Sequence, residues 1–340
     1  MDPFQHRRLG RSKVMLPQMG FGGAPLGELF TKVTEADAEA TLTAAWDAGI
    51  RYYDTAPWYG RGQSEHRIGR HLYRRPRQEA LLSTKVGRVL RAPAHPEAFD
   101  RTGWSGGLSF DIRFDYSYDG IMRAYEDSLQ RLGMNRVDML IIHDLDFWFH
   151  KTEALVSAYL AQLATSGYRA LASLREQGVI GAIGAGINEL GMIPRFLDLF
   201  DLDFFMLAMR YTLGEQDTLD KELPLCAERG VGIVIAGVFS SGLYATGPVA
   251  GAKYNYADAT PEQLDRARKI EAVCKRHGVP LAAVALQFPM HHPSVASVIP
   301  GGFRPEHVKA NLGLFRQEIP AALWAELKHE KLLRNDAPTP

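Results

Sequence analysis

An acid, a phenol, an ammonium and an imidazole stand in the first half of this chain, each where an apolar run gives way to a turn. Asp54 and Tyr59 lie in RYYDTAPWYG (51–60), Lys85 ends ALLSTK (80–85), and His143 ends VDMLIIH (137–143). These types can move a proton on and off a substrate oxygen. A phenol titrates near ~10 when unperturbed, so it needs help to work at neutral pH. Lys85 can lower the pKa of Tyr59, Asp54 can hold Lys85 in place, and His143 can orient the oxygen or share its proton. Singly, each has a plainer explanation: a capping aspartate, a packed tyrosine, a lysine reaching solvent. Their recurrence at successive strand ends makes one candidate site of them.

Such a site needs a scaffold that gathers strand ends. Apolar runs of four to eight residues alternate with helical patterns along the chain. Strands are expected at 19–22, 50–54, 80–85, 137–143, 180–187, 204–210, 232–237 and 295–299. Helices are expected at 34–48, 63–73, 118–131, 152–177 (interrupted near Ser166-Gly167), 190–200, 219–229, 261–277, 281–290 and 306–315. Thr34 fits the N-cap of the first, with Gly49 as its stop. Eight strand-then-helix units predict an α/β fold of the (β/α)8 TIM-barrel kind, whose chemistry collects at the C-terminal ends of the strands. A hairpin over 7–18, turning at Gly10-Arg11-Ser12, precedes the barrel, and a C-terminal helix over 323–333 follows it. The first strand–helix unit carries no GxGxxG, which counts against a Rossmann domain. One domain over 1–340 is expected. Residues 88–115 read as a long irregular loop, and a loop of that length is more often functional than accidental. Leu145 to Phe149 reads as an exposed aromatic cluster.

The order Asp, Tyr, Lys, His, together with GFGGAPLG, YDTAPWYG, the His143-Asp144 pair and RYTL, resembles the aldo-keto reductase superfamily from Met19 to about Phe315. Within it the chain is similar to the aldose 1-dehydrogenase branch, which includes L-fucose, L-galactose and pyridoxal dehydrogenases. The resemblance implies hydride exchange between a substrate carbon and a nicotinamide. It implies that Asn188 meets the carboxamide and that Ser240, Ser241, Gly242 and Leu243 wrap the pyrophosphate; Gly22, ending the first strand, either lets the backbone approach the cofactor or makes a tight strand exit. It further implies that the turn Gly301-Gly302-Phe303-Arg304 and His307 face the adenosine phosphate end, with Asn311 at the adenine. Three family features are missing: Ile187 replaces a serine, Ala208 a glutamine, and Ala236-Gly237 an aromatic that stacks on the nicotinamide. Phe239 is the candidate replacement for that ring.

The same comparison bears on which dinucleotide is used. NADPH-preferring relatives often read Ile-Pro-Lys-Ser after strand eight, with an arginine beyond, where this chain has Gly301, Gly302 and His307. Neutral imidazole is a poor phosphate partner, so NAD is expected over NADP; Arg304 is the one cation that could reverse this. Substrate contacts are expected from Trp58, Trp104, Trp148 and Asp144. Asp144 either accepts hydrogen bonds from a polyhydroxylated or cationic ring or caps the next helix. The expected activity is oxidation of a cyclic hemiacetal, an aldose or pyridoxal, to its lactone. An NADPH-linked aldehyde or ketone reductase is the alternative enzyme. A cofactor-sensing channel subunit is the alternative of another class.

Composition narrows the partners. Of 340 residues, 46% are hydrophobic and 23% charged, which suits an ordinary core. Lys plus Arg and Asp plus Glu balance at 39 each, so neither nucleic acid nor an anionic membrane is attracted overall. The two cysteines, Cys226 and Cys274, fall in amphipathic patterns and read as buried thiols, with no disulfide and no metal site. The polar N-terminus and the lack of a long apolar run lead to the expectation of a cytoplasmic enzyme with a small-molecule substrate, its oligomeric state open.

Overall fold

A strand sends successive side chains to opposite faces, and in a barrel one face is the interior. In the strand Tyr52–Asp54, Tyr52 packs with the interior cluster while Tyr53 joins the outer layer against the helices. In Met139–His143, Met139 and Ile141 point inward, Leu140 and Ile142 outward. The parity carries Asp54 and His143 inward at the strand ends. In Leu81–Val86 the odd positions follow the same rule: Ser83 meets Tyr52 Oη inside at 3.1 Å, and Lys85 follows it.

The computed structural model describes residues 1–101 and 103–340. Eight parallel strands form the barrel: β1 Phe21–Gly22, β2 Tyr52–Asp54, β3 Leu81–Val86, β4 Met139–His143, β5 Ala182–Ile187, β6 Phe204–Ala208, β7 Gly232–Ala236 and β8 Val295–Ile299. They pair in sequence order, and bridges Met19–Val298 and Gly22–Gly301 bring the first back to the last. In β1 glycine is needed for close packing: a Cβ on Gly22 would lie 2.7 Å from Ile299 O.

The N-terminal hairpin pairs His6–Arg8 with Met15–Pro17. Its Leu9, Val14 and Leu16 join the interior cluster with Phe204, Met206 and Val234, so it plugs the barrel's lower end. Gly10, with φ +54°, presses so closely on the start of β7 that a side chain would overlap the backbone there.

The helices follow the sequence expectation to within a residue or two at most ends. Thr34 accepts the N–H of Asp37 at 3.0 Å and caps Glu35–Asp47. The expected break near Ser166-Gly167 is a π-turn, Leu163–Gly167, between helices Glu153–Gln162 and Tyr168–Glu176. Two expectations are corrected. The 88–115 segment is not wholly irregular: Arg88–Arg91 and Asp111–Phe114 pair as an antiparallel ribbon rising from the end of β3. Leu145 to Phe149 is not an exposed cluster: Leu145 and Asp146 are fully buried, and a helical turn begins at Phe147 with Asp146 as its N-cap. Both cysteines are buried free thiols. Among the described residues no helix is long and apolar enough to cross a membrane.

Candidate active site

The four residues read from the sequence meet at one mouth of the barrel. Lys85 Nζ donates to Asp54 Oδ2 at 2.7 Å and to Thr55 O at 2.9 Å, with both partners of the ion pair almost fully buried. Ser83 Oγ donates to the other oxygen, Asp54 Oδ1, at 2.7 Å. Lys85 Nζ lies 4.6 Å from the centre of the Tyr59 ring, and the His143 ring meets Tyr59 edge-on at 5.9 Å. Register explains the convergence. Asp54 sits opposite Ser83 across β2 and β3, and Lys85 sits opposite Ile141 across β3 and β4, so the pairing sets the three ends side by side.

The expected lowering of Tyr59 is not what the protein shows. Burial pushes the phenol well above its ordinary range, Asp54 and Asp144 push it the same way, and Arg88 opposes them. The charge of Lys85 is already answered by Asp54 at 2.7 Å, which leaves that pair little net field to act on the phenol. Tyr59 is therefore protonated at neutral pH. His143 moves in the opposite sense: burial first, then Arg88 and Lys85, hold it well below its usual value, so it is neutral. Its Nε2 lies 3.0 Å from Asp144 Oδ2. A carboxylate there calls for a hydrogen on Nε2, which leaves the lone pair on Nδ1. That Nδ1 is buried with no hydrogen-bond partner among the described residues.

Arg88 was not anticipated as a site residue. It follows β3 by two residues and is 1% exposed, with Nη2 donating to Asp144 Oδ2 at 2.5 Å. Its guanidinium lies over the rings of Phe149, Trp58 and Phe114 at 4.1, 4.9 and 5.1 Å. The available signal was a lone arginine opening the apolar run Arg88-Val-Leu90 directly after a strand-end lysine. Tyr116 was missed as well: its hydroxyl donates to His143 O at 2.9 Å, and its carbonyl is packed against Gly167 of the π-turn.

Asp144 is not the cap of the next helix. The cap belongs to Asp146, which accepts from Phe149 N. Asp144 Oδ1 accepts from Asn188 Nδ2 at 2.8 Å, and its Oδ2 is shared by Arg88 and His143. Burial raises Asp144 to about 6, with the charge of Asp146 adding and Arg88 opposing. Its φ of +47° is the turn that points it back into this network. Asn188 spends its amide hydrogens on Asp144 and Asp146, so its carbonyl oxygen is what it can offer a ligand.

The aromatic candidates divide. Trp58 and Trp104 meet at 5.6 Å, and Trp104 stands 6.1 Å from Tyr59 with its indole nitrogen buried and unpartnered among the described residues. Trp148 is half-buried and packs on Tyr256 at 6.4 Å, away from that pair.

The donor set around the mouth suits a nicotinamide dinucleotide. Ser240, Ser241 and Gly242 have φ of +48°, +61° and +110°; the N–H groups of Ser240 and Gly242 donate to Gly237 O and Phe239 O at 2.8 and 3.0 Å, which leaves that of Ser241 as the one of the three available to an anion. A Cβ on Gly242 would meet nothing within 4 Å, so this backbone is open to approach. Leu243 contributes only backbone, since its side chain is in the core. Phe239 is half-buried against the outer core, and a Cβ on Gly237 would meet Met209 at 2.7 Å, so Met209 also stands beside that position. Gly22 lies against strand eight, and Gly301 against Pro25. His307 is held below its usual pKa by burial and by Arg304, and its Nδ1 accepts from Phe303 N at 3.4 Å. Arg304 is exposed, and Asn311 is half-buried on the helix Pro305–Arg316.

Known proteins resemble this chain along nearly its whole length. The profile of the Aldo/keto reductase family matches residues 18–330. The chain is 42% identical over 337 residues to pyridoxal 4-dehydrogenase of Microbacterium luteolum, covering 97% of this chain and 98% of that one. It is 41% identical to D-threo-aldose 1-dehydrogenase of a Pseudomonas species, covering 96% of each. Among solved structures, an aldo-keto reductase from Bacillus halodurans in its holo form superposes with a TM-score of 0.72 at 25% identity, covering 97% of both chains.

Proposed function

Because the chain belongs to the aldo/keto reductase family, whose members use nicotinamide cofactors, we propose that this CH–OH oxidoreductase oxidises a cyclic hemiacetal to its lactone with NAD. The observation that carries the reading is the Tyr59 ring standing edge-on to the His143 ring at 5.9 Å and 4.6 Å from Lys85 Nζ, with His143 Nδ1 unpartnered among the described residues. Nicotinamide, when bound, supplies the hydride acceptor. Tyr59 and His143 then share one substrate oxygen. In oxidation the hydroxyl proton passes to Nδ1 of His143, while the Tyr59 O–H donates to the same oxygen and fixes its position. In reduction the same proton returns from His143 Nδ1 to the oxygen, with the Tyr59 O–H again donating to it. Asp144 stabilises the imidazolium that forms, through Nε2, and Arg88 keeps Asp144 ionised and aligned. Asp54 and Lys85 fix the floor under the Tyr59 ring. Asn188 Oδ1 would accept from the carboxamide of the dinucleotide, and the 240–243 loop would hold its pyrophosphate.

The relatives' names, a pyridoxal and an aldose dehydrogenase, support a ring substrate. Trp58 and Trp104 supply flat walls for one. NAD is favoured because Gly301 and Gly302 carry no charge and His307 is neutral; the exposed Arg304 is the feature that favours NADP. The test is kcat/KM with each dinucleotide on pyridoxal, L-fucose, L-galactose and simple alcohols, repeated with Arg304→Ala. Faster turnover of a cyclic hemiacetal with NAD is expected. A simple alcohol outperforming every ring refutes the substrate reading, and an NADP preference that collapses in Arg304→Ala refutes the NAD reading.

A further inference from the structure

Strand β7 is followed by a small two-stranded flap, Lys253–Tyr254 with Ala257–Asp258, closed by the two residues Asn255 and Tyr256. Both have left-handed backbone, φ +51° and +65°. A two-residue hairpin turn of this hand favours Asn-Gly, because glycine alone takes the second position without steric cost. Here that position is a tyrosine. A bulky residue held at positive φ is a real outlier, and such outliers persist where the surroundings or a ligand require the side chain.

The turn is held from several sides. Tyr256 N–H donates to Ser241 Oγ at 2.9 Å, and Arg210 Nη2 donates to Asn255 Oδ1 at 2.6 Å. Arg210 also pairs with Glu215 at 3.0 Å, and Glu215 accepts from Tyr254 Oη at 3.2 Å. The flap is thereby tied to the loops after β6 and β7. Tyr256 lays its ring 6.4 Å from that of Trp148, which comes from the loop after β4. The residue is 44% exposed, yet its phenol lies within electrostatic reach of Tyr59, Asp144, Arg210 and Lys85. The hydroxyl has no hydrogen-bond partner among the described residues. Those contacts hold the backbone and the ring, and they leave the hydroxyl as the group of Tyr256 with no partner among the described residues.

We propose that Tyr256 is a substrate-contacting residue: its hydroxyl hydrogen-bonds a polar substituent on the substrate ring, away from the reacting carbon. Together with Trp148 it makes the wall that selects a hydroxylated six-membered ring over an unsubstituted carbonyl compound. This rests on the ring-substrate reading given above. Tyr59 and His143 handle the reacting oxygen and its proton, and Tyr256 acts on binding and orientation.

The experiment compares Tyr256→Phe and Tyr256→Gly with the parent. Substrates are the best cyclic hemiacetal of the panel and propanal, which has no ring and is assayed in the reductive direction. Dinucleotide affinity is followed by fluorescence quenching. Loss of one neutral hydrogen bond predicts that Tyr256→Phe lowers kcat/KM on the ring about two- to tenfold, mainly through KM. Propanal turnover, the dinucleotide Kd and the pH profile stay as in the parent. Tyr256→Gly relieves the turn, so its Tm is at least that of the parent while its kcat/KM on the ring falls further. The proposal is overturned if Tyr256→Phe matches the parent on the ring, if both substrates lose equally, or if Tyr256→Gly melts lower. Should the parent oxidise no cyclic hemiacetal, the functional reading has failed separately. Tyr256 is then judged on 3-hydroxybenzaldehyde against benzaldehyde, where a selective loss of the hydroxylated ring supports it and an equal effect rejects it.

Discussion

Removing the guanidinium of Arg88 should leave a signature in stability that depends on pH in one direction only. Arg88 and Asp144 are a buried pair at 2.5 Å, and stripping one partner from such a pair commonly costs about 3–5 kcal/mol because the other charge is stranded. Asp144 has a cheaper way out. It is already raised to about 6 from an ordinary 3.8. If Arg88→Leu pushes it beyond 7, it takes up a proton, and the electrostatic cost at pH 7 is capped at about 1.4 kcal/mol, one pKa unit. The sign follows from proton binding. A carboxyl raised in the folded state binds its proton more tightly there than in the unfolded chain. Its stabilising effect is therefore present at low pH and is lost as pH rises from the unfolded value through the folded one. In the parent that loss is complete just above pH 6. In Arg88→Leu it continues upward, so the gap between the two proteins is nearly constant below pH 5 and widens above pH 6, to at most about 2.7 kcal/mol at pH 8, two pKa units. The three aromatic contacts of the guanidinium, worth roughly 0.5–2 kcal/mol each, add an offset that does not vary with pH. Urea unfolding of parent, Arg88→Leu, Asp144→Asn and the double variant at pH 5, 7 and 8, without added dinucleotide, measures this. A gap that stays flat from pH 5 to 8, or one that still widens when Asp144 is already Asn, would refute the coupling.

Tyr59→Phe should bind dinucleotide as the parent does and lose ~10²–10⁴-fold in turnover, the usual worth of a positioned proton donor; near-parental turnover in a folded variant rejects its role. Lys85→Met strands Asp54, which burial already raises, so at neutral pH the carboxyl should become protonated and turnover collapse. Infrared difference spectra of the carboxyl stretch read this directly, and an ionised Asp54 at pH 7 in that variant would contradict it. Gly69→Ala tests helix packing away from the site: a methyl there overlaps Leu132 O, where helix Gln63–Leu72 crosses Tyr118–Leu132, so stability should drop by about 1–3 kcal/mol with kcat unchanged. An unchanged denaturation midpoint would show that the helices separate without cost.

What the sequence determined by itself was the set of elements and the residues at their ends. Apolar runs of strand length alternate with capped helical patterns, and the period-two register within each run settles which residues face inward. Asp54, Lys85 and His143 were therefore legible, because strand parity and a following turn are local properties. Thr34 as a cap and the break at Ser166-Gly167 were legible for the same reason. What only the tertiary structure decided was every feature made by residues distant in the chain. Arg88 looked like an ordinary charged residue opening a loop until the fold put Trp58, Phe114, Phe149 and Asp144 around it. Asp144 could not be assigned to cap or ligand from its neighbours, since its partners come from the ends of β3 and β5. The state of Tyr59 was misjudged because a charge can be counted in a sequence, whereas burial, and the neutralising of Lys85 by Asp54, cannot. Tyr256 gave no signal at all: its significance lies in a backbone sign and in the direction a flap faces, and both are set by contacts across the barrel mouth, not by the residues beside it.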